Sequence, residues 1–146
     1  MALTEVQGLV LVPTRELAVQ VRDELSRLAQ FRGLGVVACY GGHAISKQIA
    51  DLNRGAHIVV GTPGRVLDHL GRQTLQLGKL RTVVLDEADQ MLDIGFLPSI
   101  DRILSYSPKD RQTALFSATM PSPIRVIVLR HIRSPMWVRS GGEIET

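Results

Sequence analysis

Short runs of Val, Ile, Leu and Ala recur along the chain, separated by segments with the period of a helix. The runs at residues 8–12, 36–40, 58–61, 82–85 and 113–116, with a sixth at 136–139, show almost no polar alternation, so nearly all are expected to be strands buried on both faces. Between the first two, Leu17, Ala18, Val21, Leu25, Leu28 and Ala29 fall at spacings of three and four. They draw one apolar stripe on a helix that starts near Thr14, and Gly33 and Gly35 are expected to end it. Ser46 is placed to cap a second helix carrying Ile49 and Leu52 and closed by Gly55, while Thr62-Pro63 supplies an N-cap and first-turn pair for a third. Shorter helical pieces are expected over residues 89–92 and 99–104, and a last helix from Ser122-Pro123 burying Ile124, Ile127, Val128 and Leu129. Strand and helix alternate throughout, which predicts an α/β fold: a mostly parallel sheet with helices on both faces, in three αβα layers.

At 146 residues the chain is one domain in size, long enough to bury a core without disulfides or a structural metal. With 45% hydrophobic and 21% charged residues its composition is globular, and no apolar run reaches the roughly 18 residues of a membrane span, so no membrane partner is expected. The opening Met1-Ala2-Leu3-Thr4-Glu5 has neither the basic nor the apolar stretch of a secretory signal, which favours an intracellular protein, cytoplasmic first, with nucleus or organelle also compatible. Cys39 is the single cysteine, which excludes an internal disulfide and a cysteine-rich zinc site, and its apolar neighbours make it a core residue. His43, His57, His69 and His131 have no metal-site spacing. Net charge is only +3, yet fourteen of the seventeen basic residues are arginine, and residues 111–142 hold five arginines and no acid. Such a stretch suits an anionic partner and a plain solvated basic surface equally well.

In an open α/β sheet ligands gather at the carboxyl ends of the strands, so the residues just after each apolar run carry the most information. In order they are Pro13-Thr14-Arg15-Glu16-Leu17-Ala18, Gly41-Gly42, Thr62-Pro63-Gly64-Arg65, Asp86-Glu87-Ala88-Asp89 and Ser117-Ala118-Thr119. The strand Val83-Val84-Leu85 closing on Asp86-Glu87 is a Walker B arrangement, in which one carboxylate holds Mg²⁺ and its neighbour positions a water. An acid pair at a strand tip is also a common helix cap. Ser117 and Thr119 offer hydroxyls that can hydrogen-bond a carboxylate on the adjacent strand, or can cap their own turn. The first three loops present hydroxyls, bare backbone amides, helix N-termini and guanidinium groups, all suited to phosphate oxygens. Taken singly, each has a structural reading too: Thr62-Pro63 as a helix cap, Gly41-Gly42 as a tight turn, Arg15 as a partner of Glu16 or Asp23.

PTRELA, GG, TPGR, DEAD and SAT in this order and spacing closely resemble the first RecA-like domain of DEAD-box ATP-dependent RNA helicases over nearly the whole chain. The resemblance implies ATP and Mg²⁺ as cofactors of the parent protein, with Asp86 binding the Mg²⁺ of ATP largely through water and Glu87 polarising the attacking water. It implies that Asp89, Ser117 and Thr119 couple nucleotide state to domain closure. It further implies an RNA track, without sequence preference, formed by Pro13, Thr14, Arg15, Gly41, Gly42, Thr62, Pro63, Gly64 and Arg65. Ala88-Asp89, with PTRELA and TPGR, favours the RNA-specific branch over DExH-type relatives.

The family's Walker A loop, G-x-x-x-x-G-K-[ST], has no counterpart here; Gly71 followed by Gly78-Lys79-Leu80 has the wrong spacing and ends in leucine. The glutamine motif that reads adenine and the second RecA-like domain are missing as well. Residues 1–146 are therefore expected to be a partial first domain lacking its Walker A strand, a fragment that binds neither ATP nor Mg²⁺ and neither hydrolyses nor unwinds by itself. In the family that strand lies beside the one ending at Ser117. Its loss is expected to leave an open sheet edge that invites homodimerisation or strand swapping. A second reading makes the chain a non-catalytic RNA-binding module, or one that docks on a partner completing its sheet.

Overall fold

Thr14 adopts an extended backbone and its hydroxyl accepts the Leu17 amide at 3.2 Å, which starts helix α1 (Arg15–Ala29) directly after strand β1 (Gly8–Leu11). The structure is a computed structural model that describes residues 5–139 and 144–145. After α1 a short 3₁₀ turn, Gln30–Arg32, ends at Gly33 in the left-handed region (φ 66°), and the chain then runs through β2 (Val36–Cys39), α2 (Ile45–Arg54), β3 (Ile58–Gly61) and α3 (Pro63–Gly71). Beyond them come β4 (Thr82–Leu85), α4 (Ala88–Ile94), α5 (Leu97–Tyr106), β5 (Gln112–Leu115) and α6 (Ser122–His131), and finally the short strands β6 (Trp137–Val138) and β7 (Ile144–Glu145).

Five strands form one parallel sheet in the order β2-β3-β1-β4-β5. Leu9 and Leu11 point into the larger core, shared with Met91 of α4, Ile100, Ile103 and Leu104 of α5, and Ile127 of α6. Val10 and Val12 point the other way, onto Leu17, Ala18, Val21 and Leu25 of α1. Helices thus cover both faces, and the sheet is the middle of three layers, as the alternation of strand and helix predicts.

Several local expectations are corrected. Ser46 lies inside α2, whose N-cap is Ala44 with no side-chain bond. Leu28 and Leu129 are 77% and 70% exposed; each is at the margin of its helix's apolar face, where no neighbouring layer reaches it. The expected burial on both faces does not hold throughout: the central strands are buried on the larger-core side, but α1 covers only part of the opposite face, so Val10, Thr82 and Val84 there are half-buried. At the edge of the sheet β5 has an exposed Gln112 and only half-buried Thr113, Ala114 and Leu115. The run at 136–139 forms a strand only over Trp137–Val138, and it pairs antiparallel with β7 in a separate ribbon instead of extending the sheet. Residues 1–4, 140–143 and 146 lie outside the described residues.

Candidate functional site

Strand register brings the five loops to one edge. Leu11 is level with Gly61 and Leu85, Cys39 with Gly61, and Leu85 with Leu115, so the residue after each strand emerges at the same carboxyl end. The backbone ladder continues one step into the loops: the amides of Val12, Thr62, Asp86 and Phe116 donate to Gly61, Cys39, Leu11 and Leu85 at 2.8 to 3.0 Å. Because the order is β2-β3-β1-β4-β5, the Gly41-Gly42, Thr62-Pro63-Gly64-Arg65 and Pro13-Thr14-Arg15 loops are contiguous on one side. The acid loop after β4 and the hydroxyl loop after β5 are contiguous on the other.

On the first side, Pro13, Thr62 and Pro63 are buried and anchor their loops, while Gly41, Gly42, Gly64 and Arg15 are exposed. Arg15 lies against Gly42: a Cβ on that glycine would sit 3.2 Å from Arg15 Nη1. Its pairing with Glu16, at 3.8 Å between side chains that are 60% and 77% exposed, is too loose and too wet to hold the guanidinium. Gly61, just ahead of this loop, admits no side chain, since a Cβ would collide with Val66 Cγ2 and come within 2.8 Å of the Cys39 carbonyl oxygen. Thr62 occupies the N-cap of α3 with Pro63 at the first helical position, but its hydroxyl makes no capping bond.

On the second side, Glu87 sits in the left-handed region at φ 53°, a conformation that costs a non-glycine residue of order 1–3 kcal/mol and is held by its surroundings. Its amide donates to Asp86 Oδ1 at 3.0 Å, and its Oε1 accepts from Gln90 Nε2 at 2.9 Å. Ser117 Oγ accepts the Asp89 amide at 3.1 Å and donates to the Thr119 carbonyl at 2.6 Å; Thr119 Oγ1 donates to Asp89 Oδ2 at 3.3 Å; and the Ala88 amide donates to the Phe116 carbonyl at 3.0 Å. The acid loop and the hydroxyl loop are thereby sewn together, and Ser117 serves its own turn as well. Partial desolvation pushes the Asp89 carboxyl up, but the bonds from the Gln90 amide, the Thr119 hydroxyl and Ser117 outweigh it and hold the group below the usual aspartate range. Among the described residues no group of three or more His, Cys, Asp or Glu could hold a metal unaided. Asp86 and Glu87 are two carboxylates at the tip of β4, oxygen donors of the kind that suit a hard divalent cation. A cavity of about 790 Å³ opens onto these loops at Asp86, Glu87, Asp89 and Ser117 and runs along β5 to Trp137 and Val138 of β6. Arg125 closes over the Trp137 ring at 5.1 Å.

Three participating residues escape the motif reading. Gln90 aims the Glu87 carboxylate, and Gln48 and His69 form a fully buried polar contact behind Arg65. Gln48 had a signal: it stands three after Ile45 and four before Leu52, a polar residue on an apolar helical stripe. His69 had none, since burial follows only from how α2 and α3 pack. Cys39 is fully buried, and desolvation pushes its thiol up to about 12, in keeping with a core role. No helix among the described residues is long and apolar enough to cross a membrane.

Comparison with known proteins places this arrangement among relatives. Residues 2–127 match the family model described as DEAD/DEAH box helicase. The chain is 54% identical to the ATP-dependent RNA helicase CshA of Listeria monocytogenes over 134 residues, covering 92% of this chain and 26% of that protein. It is 52% identical to the DEAD-box ATP-dependent RNA helicase CshA of Geobacillus kaustophilus, covering 92% of this chain and 29% of that one. It thus spans under a third of the length of these relatives. Among solved structures it superposes on a DEAD box protein from the hyperthermophile Methanococcus jannaschii with a TM-score of 0.85 at 44% identity, over 90% of this chain and 36% of the other. A hypothetical ATP-dependent RNA helicase from Sulfolobus tokodaii gives 0.83 at 38% identity, over 88% and 39%.

Proposed function

Because the chain belongs to the DEAD/DEAH box helicase family, we propose that residues 1–146 form part of the first RecA-like domain of an ATP-dependent RNA helicase, which works against a second such domain in the whole protein. The observation that carries this reading is the sorting of the carboxyl edge, with three phosphate-suited loops side by side and the acid and hydroxyl loops bonded to each other beyond them. In this reading RNA lies across the loops after β2, β3 and β1. Thr14, Arg15, Gly41, Gly42, Gly64 and Arg65 meet its phosphates, the buried Pro13, Thr62 and Pro63 fix the loops, and no base edge is read. Bound Mg·ATP would supply the phosphoanhydride bond and a cation suited to charge on phosphoryl oxygens. Asp86 would hold the cation and Glu87, aimed by Gln90, would orient a water. Asp89, Ser117 and Thr119 pass a displacement of the acid loop to β5, and from there to the facing domain. Alone, the chain turns over no ATP, since it has no Walker A loop to hold the phosphates.

Separate titrations with fluorescein-labelled single-stranded RNA and with Mg·ATP, each at two salt concentrations, test this. Weak RNA binding that falls as salt rises, with no nucleotide binding, is the expected result. Micromolar ATP binding, or phosphate release lost on Glu87→Gln, would overturn the incomplete-ATPase reading, and RNA binding indifferent to Arg15→Ala and Arg65→Ala would overturn the track. A second reading, a docking module, is favoured by the half-exposed outer edge of β5 and the cavity beside it. It expects concentration-dependent dimers by light scattering, and a strictly monomeric chain counts against pairing with a second copy.

A further inference from the structure

Behind the loops after β2 and β3, α2 and α3 meet on two polar residues with no solvent exposure at all, Gln48 and His69. The Gln48 amide uses every hydrogen bond it has. Its Nε2 donates to the Tyr40 carbonyl at 2.8 Å and to His43 Nδ1 at 3.1 Å; its Oε1 accepts from Arg65 Nη1 at 3.2 Å and from His69 Nε2 at 2.9 Å. Both acceptors of Nε2 belong to the segment flanking Gly41-Gly42. Arg65 Nη1 reaches the same segment directly, donating to the His43 carbonyl at 2.9 Å, and Tyr40 and His43 stack at 5.1 Å between ring centres. An amide satisfied on all sides cannot flip without orphaning buried groups, which costs about 1–3 kcal/mol for each. His69 is locked in turn by the Thr74 hydroxyl, 2.7 Å from Nδ1. Burial first, and then the Arg65 charge, push its basicity down, and the Gln48 Oε1 facing Nε2 is the acceptor that favours the proton there. Nothing in a nucleotide site calls for a buried glutamine here. What it does touch are two loops suited to phosphate.

We propose that Gln48 is a positioning residue for RNA: by bonding Arg65 and both flanks of Gly41-Gly42 at once, it holds one guanidinium and one pair of bare amides in a single preset arrangement. The two loops then engage consecutive phosphates as a unit, and the ordering cost of binding is met on folding. This rests on the RNA-track reading above.

The test is anisotropy of fluorescein-labelled oligouridylate with the whole chain and with Arg65→Ala, Gln48→Met and the double variant, each checked for folding by near-ultraviolet circular dichroism. Arg65→Ala and Gln48→Met should each weaken binding roughly tenfold, and the double variant should fall well short of the product of the two losses, because part of the Gln48 effect runs through Arg65. A purely structural glutamine would give losses that multiply, and that result overturns the proposal. A folded Gln48→Met with unchanged affinity, beside a weakened Arg65→Ala, overturns it while leaving the RNA track standing. An unaffected Arg65→Ala overturns both. Where Gln48→Met does not fold, ¹⁵N spectra of the unaltered chain decide: the Gln48 side-chain amide should be protected from exchange and shift on adding oligouridylate, and an unprotected or unmoved signal overturns the proposal.

Discussion

Thr119 and Asp89, thirty positions apart in sequence, are joined by a hydrogen bond of 3.3 Å from Oγ1 to Oδ2, and Ser117 holds the amide of the same aspartate at 3.1 Å. Two loops from neighbouring strands are thereby tied to each other. Removing the donor in Thr119→Val should let the Asp89 carboxyl titrate closer to an ordinary aspartate, and ¹³C NMR of that carboxyl reads the change. Ser117→Ala leaves the Asp89 amide without its acceptor and should lower Tm by roughly 2 to 4 °C. An unchanged titration in Thr119→Val would mean that the two loops are not coupled in solution.

Gly61 ends β3 where only hydrogen fits. Gly61→Ala drives a methyl group against Val66 and the Cys39 carbonyl, and this overpacking should cost about 1–3 kcal/mol in urea unfolding. RNA affinity should fall with it, since Val66 is in the first turn of the helix that carries Arg65. A variant as stable as the original would show that α3 shifts freely away from the sheet.

Asp101 ties α5 to α6, accepting from His131 Nε2 at 2.6 Å and Arg130 Nη1 at 2.9 Å. The His131 bond first, and Arg130 after it, hold the carboxyl below the usual aspartate range despite partial burial. A depressed carboxyl pKa contributes stability that is present above the unfolded value of about 3.9 and is lost as pH falls through the folded one. Thermal melts taken downward from about pH 6 should show a decline below about pH 4 that is shallower in Asp101→Asn. Equal acid limbs in the two proteins would refute it.

Cys39 should be inert. With its thiol pushed up to about 12 and no exposure, a thiol reagent at neutral pH should label it only after unfolding in urea. Rapid labelling of the native chain would mean that β2 opens readily.

Much of this protein was legible in its order of residues. The five strand-end loops, the Thr14 cap, the Thr62-Pro63 start and the closure of α2 at Gly55 were all legible, because caps, turns and apolar periods act within a few residues of chain. What remained hidden were facts about neighbours. Ser46 reads as a cap yet lies inside α2, and Leu129 reads as buried yet faces out, because helix α6 has nothing packed on that side. The run at 136–139 reads as another sheet strand yet joins β7 instead.

Sequence alone determined which chemistries stand at the strand ends, since each loop is a contiguous string whose residue types and spacing are local facts. Tertiary structure alone decided how they are shared out. The order β2-β3-β1-β4-β5 gathers the three phosphate-suited loops and joins Asp89 to Ser117 and Thr119, and the packing of α2 on α3 seals Gln48 and His69 behind Arg65. The physical reason is that strand order, burial and the full satisfaction of a polar group depend on atoms tens of residues apart in sequence, which no local period or motif encodes.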